Sequence, residues 1–261
     1  MKKRVISAIV ALIIAMPLVF LGGLPFYFFA IILSLLAFKE MLDLIVKDDY
    51  WVRLVSFIIF LFLIGSGITG NNLNYIIDFK VLGIILLIYT CLALLKYKSN
   101  FNIEKCFYLI GFSCFLSLSF ATLIIIRNIN IYYFIYLFLI TIMTDTFAHC
   151  VGTIFGKHKI NLISPNKSWE GCLGGAVFGT LISVLFYLFF INQDINLLLL
   201  SFITLFLSIV GQIGDLFFSL IKRHYKIKDF SNIMPGHGGI LDRFDSVIFV
   251  ALAITYFIKF L

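Results

Sequence analysis

Charged residues are scarce in this chain. They make up 13% of its 261 residues, against 62% hydrophobic, a balance that excludes a soluble globular domain of this length. Tryptophan is nearly missing, with two against 31 phenylalanines. The aromatic complement therefore brings bulk without polar handles, which suits contact with lipid and between helices and argues against nucleic acid as a partner, despite a net charge of +7. No C-x-x-C pair occurs among the five cysteines, Cys91, Cys106, Cys114, Cys150 and Cys172, all of which lie in or beside apolar runs. That argues against a cysteine metal site or disulfide framework and favours packing as their role. No small-x-small cleavage site follows the apolar run behind Met1-Lys2-Lys3-Arg4, so this segment reads as an uncleaved first span rather than a secretory signal.

What the chain has instead is apolar runs of membrane-crossing length. They lie near 5–22, 24–42, 54–70, 79–95, 106–126, 131–155, 172–191, 196–221 and 244–261. The fold class is thus an all-α polytopic membrane protein with about nine transmembrane helices. With the N-terminus in the cytoplasm, seventeen of the twenty Lys and Arg residues fall in inside segments, and only Lys80, Arg127 and Lys259 fall outside. This split sets the expected orientation. Two regions are expected, a membrane-helix scaffold over 1–130 and a catalytic membrane region over 131–261. The first offers little chemistry: Pro17, Pro25, Asp43, Asp48, Asp49, Asn71, Asn72 and Asn74 read as loop and turn punctuation.

The unusual chemistry sits in Gly211–Ser246, GQIGDLFFSLIKRHYKIKDFSNIMPGHGGILDRFDS. At helical spacing Asp215, Ser219, Lys222 and Arg223 share one face. A loop with three glycines around His237 then lets backbone N–H groups approach an anion, and Asp242 and Asp245 follow at i, i+3 on the first turn of another helix. Carboxylates beside cations and a glycine loop suggest a divalent metal holding phosphates. Upstream, Asp145 lies inside the sixth run, where a carboxylate costs on the order of 3 kcal/mol and is a functional residue by default; His149 follows at i+4. Ser164 is expected to cap the next helix, with Pro165 at its first position, and Lys167 and Glu170 follow. Gly171, Gly175 and Gly179 repeat at i+4, the pattern that brings membrane helices close. On the expected topology four carboxylates, Asp145, Asp215, Asp242 and Asp245, converge on one cytoplasm-facing cavity.

The run from Ser219 through Lys222-Arg223, Lys228-Asp229, Ser231, Met234-Pro235 and His237-Gly238-Gly239 to Asp242-Arg243 and Asp245 resembles the signature of the phosphatidate cytidylyltransferases, the CDP-diacylglycerol synthases. Asp145–Lys159 (DTFAHCVGTIFGKHK) and Ser164–Gly171 (SPNKSWEG) resemble the same family. The resemblance implies a membrane enzyme that joins CTP to phosphatidic acid and releases pyrophosphate, acting at the cytoplasmic face of a bacterial inner membrane, as a homodimer whose N-terminal helices form the scaffold. It implies Mg²⁺, with a second cation left open, held among Asp145, Asp215, Asp242 and Asp245. By the same resemblance Asp215, Asp242, Lys222, Arg223 and His237 are catalytic, and Lys167, Ser219, Lys228, Asp229, Gly238, Gly239 and Arg243 bind substrate. The chain departs from the family's pattern at Phe218, where a Glu is usual, at His149, where an aromatic is common, and conservatively at Met234. Alternatives are an enzyme using CTP on another lipid, such as a polyprenol kinase or an archaeol-type cytidylyltransferase, and a secondary transporter. Transporters favour repeated halves with broken midplane helices, whereas the charges here crowd one half.

Overall fold

The computed structural model describes residues 2–69, 79–96, 101–160, 164, 167–234, 236 and 238–258. Among these residues the protein is all-α, without a strand. Its helices are α1 (Lys2–Leu21), α2 (Gly23–Ile45), α3 (Tyr50–Thr69), α4 (Phe79–Leu95), α5 (Ile103–Ile129), α6 (Ile131–Phe155), α7 (Trp169–Phe190), α8 (Leu197–His224) and α9 (Leu241–Phe257). Each apolar run of the sequence falls within or against one of these helices. Four of them, α5 to α8, are long and apolar enough to cross a bilayer, while Ile9–Leu21, Tyr50–Ser66 and Val81–Leu95 form shorter apolar stretches. The protein is an α-helical membrane protein, in which each span satisfies its own backbone hydrogen bonds where no water can.

Short polar side chains start the helices that carry the chemistry. The Asn130 side chain accepts from the Tyr132 N–H to open α6, and Asn196 accepts from Leu198 and Leu199 to open α8. Helix α7 corrects the sequence reading. Its cap is Ser168, whose side chain accepts from the Gly171 N–H, and not Ser164. The reason is a folded-back loop: the Ile160 N–H donates to the Lys167 carbonyl and the Trp169 N–H to the His158 carbonyl, so Ser164 sits in a turn where its own carbonyl accepts from the Lys167 N–H. Pro165 and His237 lie outside the described residues.

The chain divides into two compact units. One comprises Met1–Ile125 with Phe230–Ile240, the other Ile126–Asp229 with Leu241–Leu261. In the first unit Phe38 stacks on Phe60 with ring centroids 4.3 Å apart, and the Tyr89 hydroxyl lies 3.2 Å from that of Ser113. Arg53 pairs with Asp43 at 2.5 Å and Lys96 with Asp49 at 3.3 Å, so these acids hold local structure. Glu40 of α2 is only 1% exposed. Its Oε1 accepts from the Ser231 hydroxyl at 2.6 Å and from the Ile240 N–H at 2.8 Å.

The second unit is built from α6 to α9, with α6 packed along α7 and α8 along α9. The glycine repeat explains the first pairing. A Cβ on Gly171 would stand 2.7 Å from the Ala148 carbonyl oxygen, one on Gly175 2.6 Å from that of Thr144, and one on Gly179 2.6 Å from the Thr144 hydroxyl. Only a side chain of hydrogen lets α7 lie this close to α6. Hydroxyl pairs then tie α6 to α8, Tyr136 to Thr204 at 2.6 Å and Thr144 to Ser208 at 2.7 Å, replacing hydrogen bonds that lipid cannot supply.

Candidate active site

Helix α8 presents the stripe expected from its sequence. The Ser219 hydroxyl donates to Asp215 Oδ1 at 3.4 Å, one turn apart. A turn further on, Lys222 Nζ reaches across to Asp242 Oδ1 on α9 at 2.7 Å. Only 14% of the Lys222 side chain and 4% of the Asp242 side chain are exposed, so this is a buried ion pair whose members depend on each other. Lys167, from the loop before α7, pairs with Asp215 Oδ2. Glu170 is taken by another partner: it accepts from the backbone N–H groups of Lys157 and His158 and contacts His158 Nδ1 at 2.6 Å.

Two more carboxylates complete the cluster. Asp145 of α6 lies within electrostatic range of Asp215 and Lys167, and Asp245 of α9 within range of Asp215, Lys222 and Asp145. The Ser246 hydroxyl stands between them, hydrogen-bonded to Asp145 and 3.5 Å from Asp245 Oδ1. Asp145 is embedded in the sequence of a span and is exposed on the surface of α6. The four carboxylates expected to converge are therefore tied together through Lys167, Lys222 and Ser246. His149 is exposed. Ser246 and the His158–Glu170 pair are polar groups the sequence reading did not single out; a hydroxyl next to Asp245 was the available signal for the first.

By formal charge the cluster sets four carboxylates against two ammonium groups, an acidic excess, and its acceptors are hard oxygen atoms. That fits a hard divalent cation. Among the described residues no three Asp, Glu, His or Cys side chains meet closely enough to ligate one ion directly. A Mg²⁺-type ion does not need them to, because it commonly keeps waters and takes one or two carboxylates plus substrate phosphate.

The remaining expected residues fall in two groups. Arg223, Lys228, Asp229 and Arg243 are exposed in the second unit. Gly238 and Gly239 are buried in the first, where Gly238 adopts φ 83, a conformation that favours glycine. The Met234 N–H donates to the Gly238 carbonyl at 3.0 Å to close this turn.

The model of the "Cytidylyltransferase family" matches residues 2–261. The chain belongs to this family. Among its relatives, phosphatidate cytidylyltransferase of Staphylococcus haemolyticus (strain JCSC1435) is 37% identical over 96% of both chains. The proteins of the same name from Staphylococcus aureus (strain COL) and Staphylococcus saprophyticus are 38% and 37% identical, again over 96% of each chain. Family membership extends over the N-terminal helices too, beyond the C-terminal stretches that carry the sequence resemblance.

Phe218, where the family usually has Glu, is fully buried. It packs edge-on to Phe217 and Phe249, with centroids 5.7 and 6.3 Å away. Phe218→Glu is accordingly expected to cost on the order of 3 kcal/mol of stability, seen as earlier thermal unfolding in detergent, rather than to lower the metal concentration needed for activity. A variant as stable as wild type would show that this aromatic packing is not what holds α8 to α9.

Proposed function

We propose that the cluster of Asp145, Lys167, Asp215, Lys222, Asp242 and Asp245 is the cytidylyl-transfer site of a phosphatidate cytidylyltransferase, which converts CTP and phosphatidic acid to CDP-diacylglycerol and pyrophosphate. The observation that carries this reading is the acidic cluster with its two lysines, in a chain related over nearly its whole length to enzymes named for that reaction. A phosphate oxygen of the lipid attacks the α-phosphorus of CTP, the bond to the β-phosphate breaks, and pyrophosphate leaves. Lys167 exchanges Asp215 for a phosphate oxygen of the incoming nucleotide, and Arg223 and Arg243 add charge-assisted contacts. Lys222 stays on Asp242 and keeps that carboxylate oriented. Ser219 orients Asp215, and Ser246 orients Asp145 and Asp245. Lys228 and Asp229 contact substrate, and His237 with the Gly238–Gly239 loop offers donors to phosphate.

The family uses divalent cations, and we assign Mg²⁺, held by one or two carboxylates among Asp145, Asp215, Asp242 and Asp245 together with water and substrate phosphate. Bound there, it would screen the triphosphate and stabilise charge on the departing pyrophosphate. The relatives' name supports phosphatidic acid over a polyprenol or archaeol phosphate as acceptor. The decisive assay gives purified protein CTP with each of these lipids and follows both pyrophosphate and CDP; pyrophosphate released only with an archaeol phosphate, or CDP released only with a polyprenol, and no product from phosphatidic acid would overturn the assignment.

The basic residues support an orientation with the N-terminus and the site facing the cytoplasm of a bacterial inner membrane, all nine helices crossing it, and residues 131–261 forming the catalytic region of a homodimer. A cysteine placed at Gln193 should then be labelled from outside intact cells and one at Asn232 should not. Outside labelling at Asn232 would reverse the orientation.

A further inference from the structure

We propose that Glu40 is a positioning residue for the reaction, one that sets the shape of the glycine loop from the N-terminal half of the chain. An acidic side chain this deeply buried in an apolar unit is costly unless its charge is met by donors. Both donors found for Glu40 Oε1 come from the same distant stretch, the Ser231 hydroxyl and the Ile240 N–H. They are the two ends of the loop. One carboxylate oxygen thus closes residues 231–240 into a ring, and offsets the entropy that closing a loop costs. Between these ends run the turn closed from Met234 to Gly238 and Gly238 itself in its left-handed conformation. Gly239 belongs to the same fit: a Cβ there would come 2.7 Å from the Glu40 carboxyl carbon, and closer still to Oε1. Glu40 fills the room that Gly239 leaves, and the loop's glycine amides are held in a fixed array.

The proposal rests on the reading of this loop as a holder of substrate phosphate, and hydrogen exchange separates the two. In the full-length protein in detergent, with Mg²⁺ present, Glu40→Ala should speed amide exchange in peptides covering 231–241 by about tenfold, the scale of one lost charge-assisted hydrogen bond. It should raise KM for CTP by a similar factor while changing kcat less. Glu40→Gln, whose amide oxygen can accept both bonds, should stay within about threefold of wild type on each measure. If Glu40→Ala does not fold, Ser231→Ala removes one donor and no charge, and should shift the same readouts in the same direction. Unchanged loop exchange in the folded variants would overturn the anchor. So would a general rise in exchange over the whole chain with KM unaltered, which is the mark of a merely structural residue. Faster exchange confined to the loop with normal KM would uphold the anchor and remove the loop from phosphate binding.

Discussion

Asp215→Asn is expected to lower CDP-diacylglycerol formation by at least ~100-fold, the scale of losing one strong electrostatic contact to a transition state, without unfolding the protein. Asp215 is the hub of the site: Lys167 pairs with it, Ser219 donates to it, and Asp145 and Asp245 lie within range. Asparagine keeps the shape and one acceptor oxygen. It also removes a like charge from among three carboxylates, so burial becomes easier and thermal unfolding in detergent should come no earlier. What disappears is the charge a hard cation and its phosphate need. Labelled CTP incorporated into lipid measures the effect, with Asp48→Asn as a control expected to match wild type. Near-normal turnover in Asp215→Asn would end the case for this cluster as the reaction centre.

The Lys222–Asp242 pair should give the second large effect. Removing one partner takes the ion pair away from a charge that stays buried, which typically costs about 3–5 kcal/mol. Lys222→Met should therefore lower both stability and turnover, and Asp242→Asn should lower turnover by about 100-fold while costing less stability, because Asn still accepts from the lysine. The double variant Lys222→Met/Asp242→Asn removes both charges together. It should regain most of the stability lost in Lys222→Met and remain as inactive as the worse single variant, since groups acting as a unit are not additive. Additive losses of activity across the cycle would mean that the two side chains act separately.

The helices were legible because their apolar runs are long and bounded by charge, and the acidic cluster because carboxylates inside such runs stand out. What the sequence hid was pairing. Lys167 sits three residues before Glu170, but the fold gives it to Asp215 on α8, while Glu170 turns to His158 and its backbone. Ser164 followed by proline has the form of a helix start; four residues later Ser168 takes that role, because the Ile160 N–H donates to the Lys167 carbonyl and the Trp169 N–H to the His158 carbonyl. Glu40 was missed for a different reason. It stands among the mixed charges that end α2, where orientation signals are expected, and its partners lie 191 and 200 positions away. No local period marks a contact of that kind. Phe218 could be seen as a departure but not weighed until its burial was known.

The glycine face of α7 has one more consequence, and it concerns the route of the lipid. Where Gly171, Gly175 and Gly179 meet Thr144 and Ala148 the two backbones nearly touch, and an acyl chain, several ångströms thick, has no passage between them. That seam runs along α6 beside Asp145, so it closes one side of the proposed site to a lipid chain. A two-tailed lipid that reacts at these carboxylates would have to bring its phosphate in from another side, its tails following along a face other than the seam.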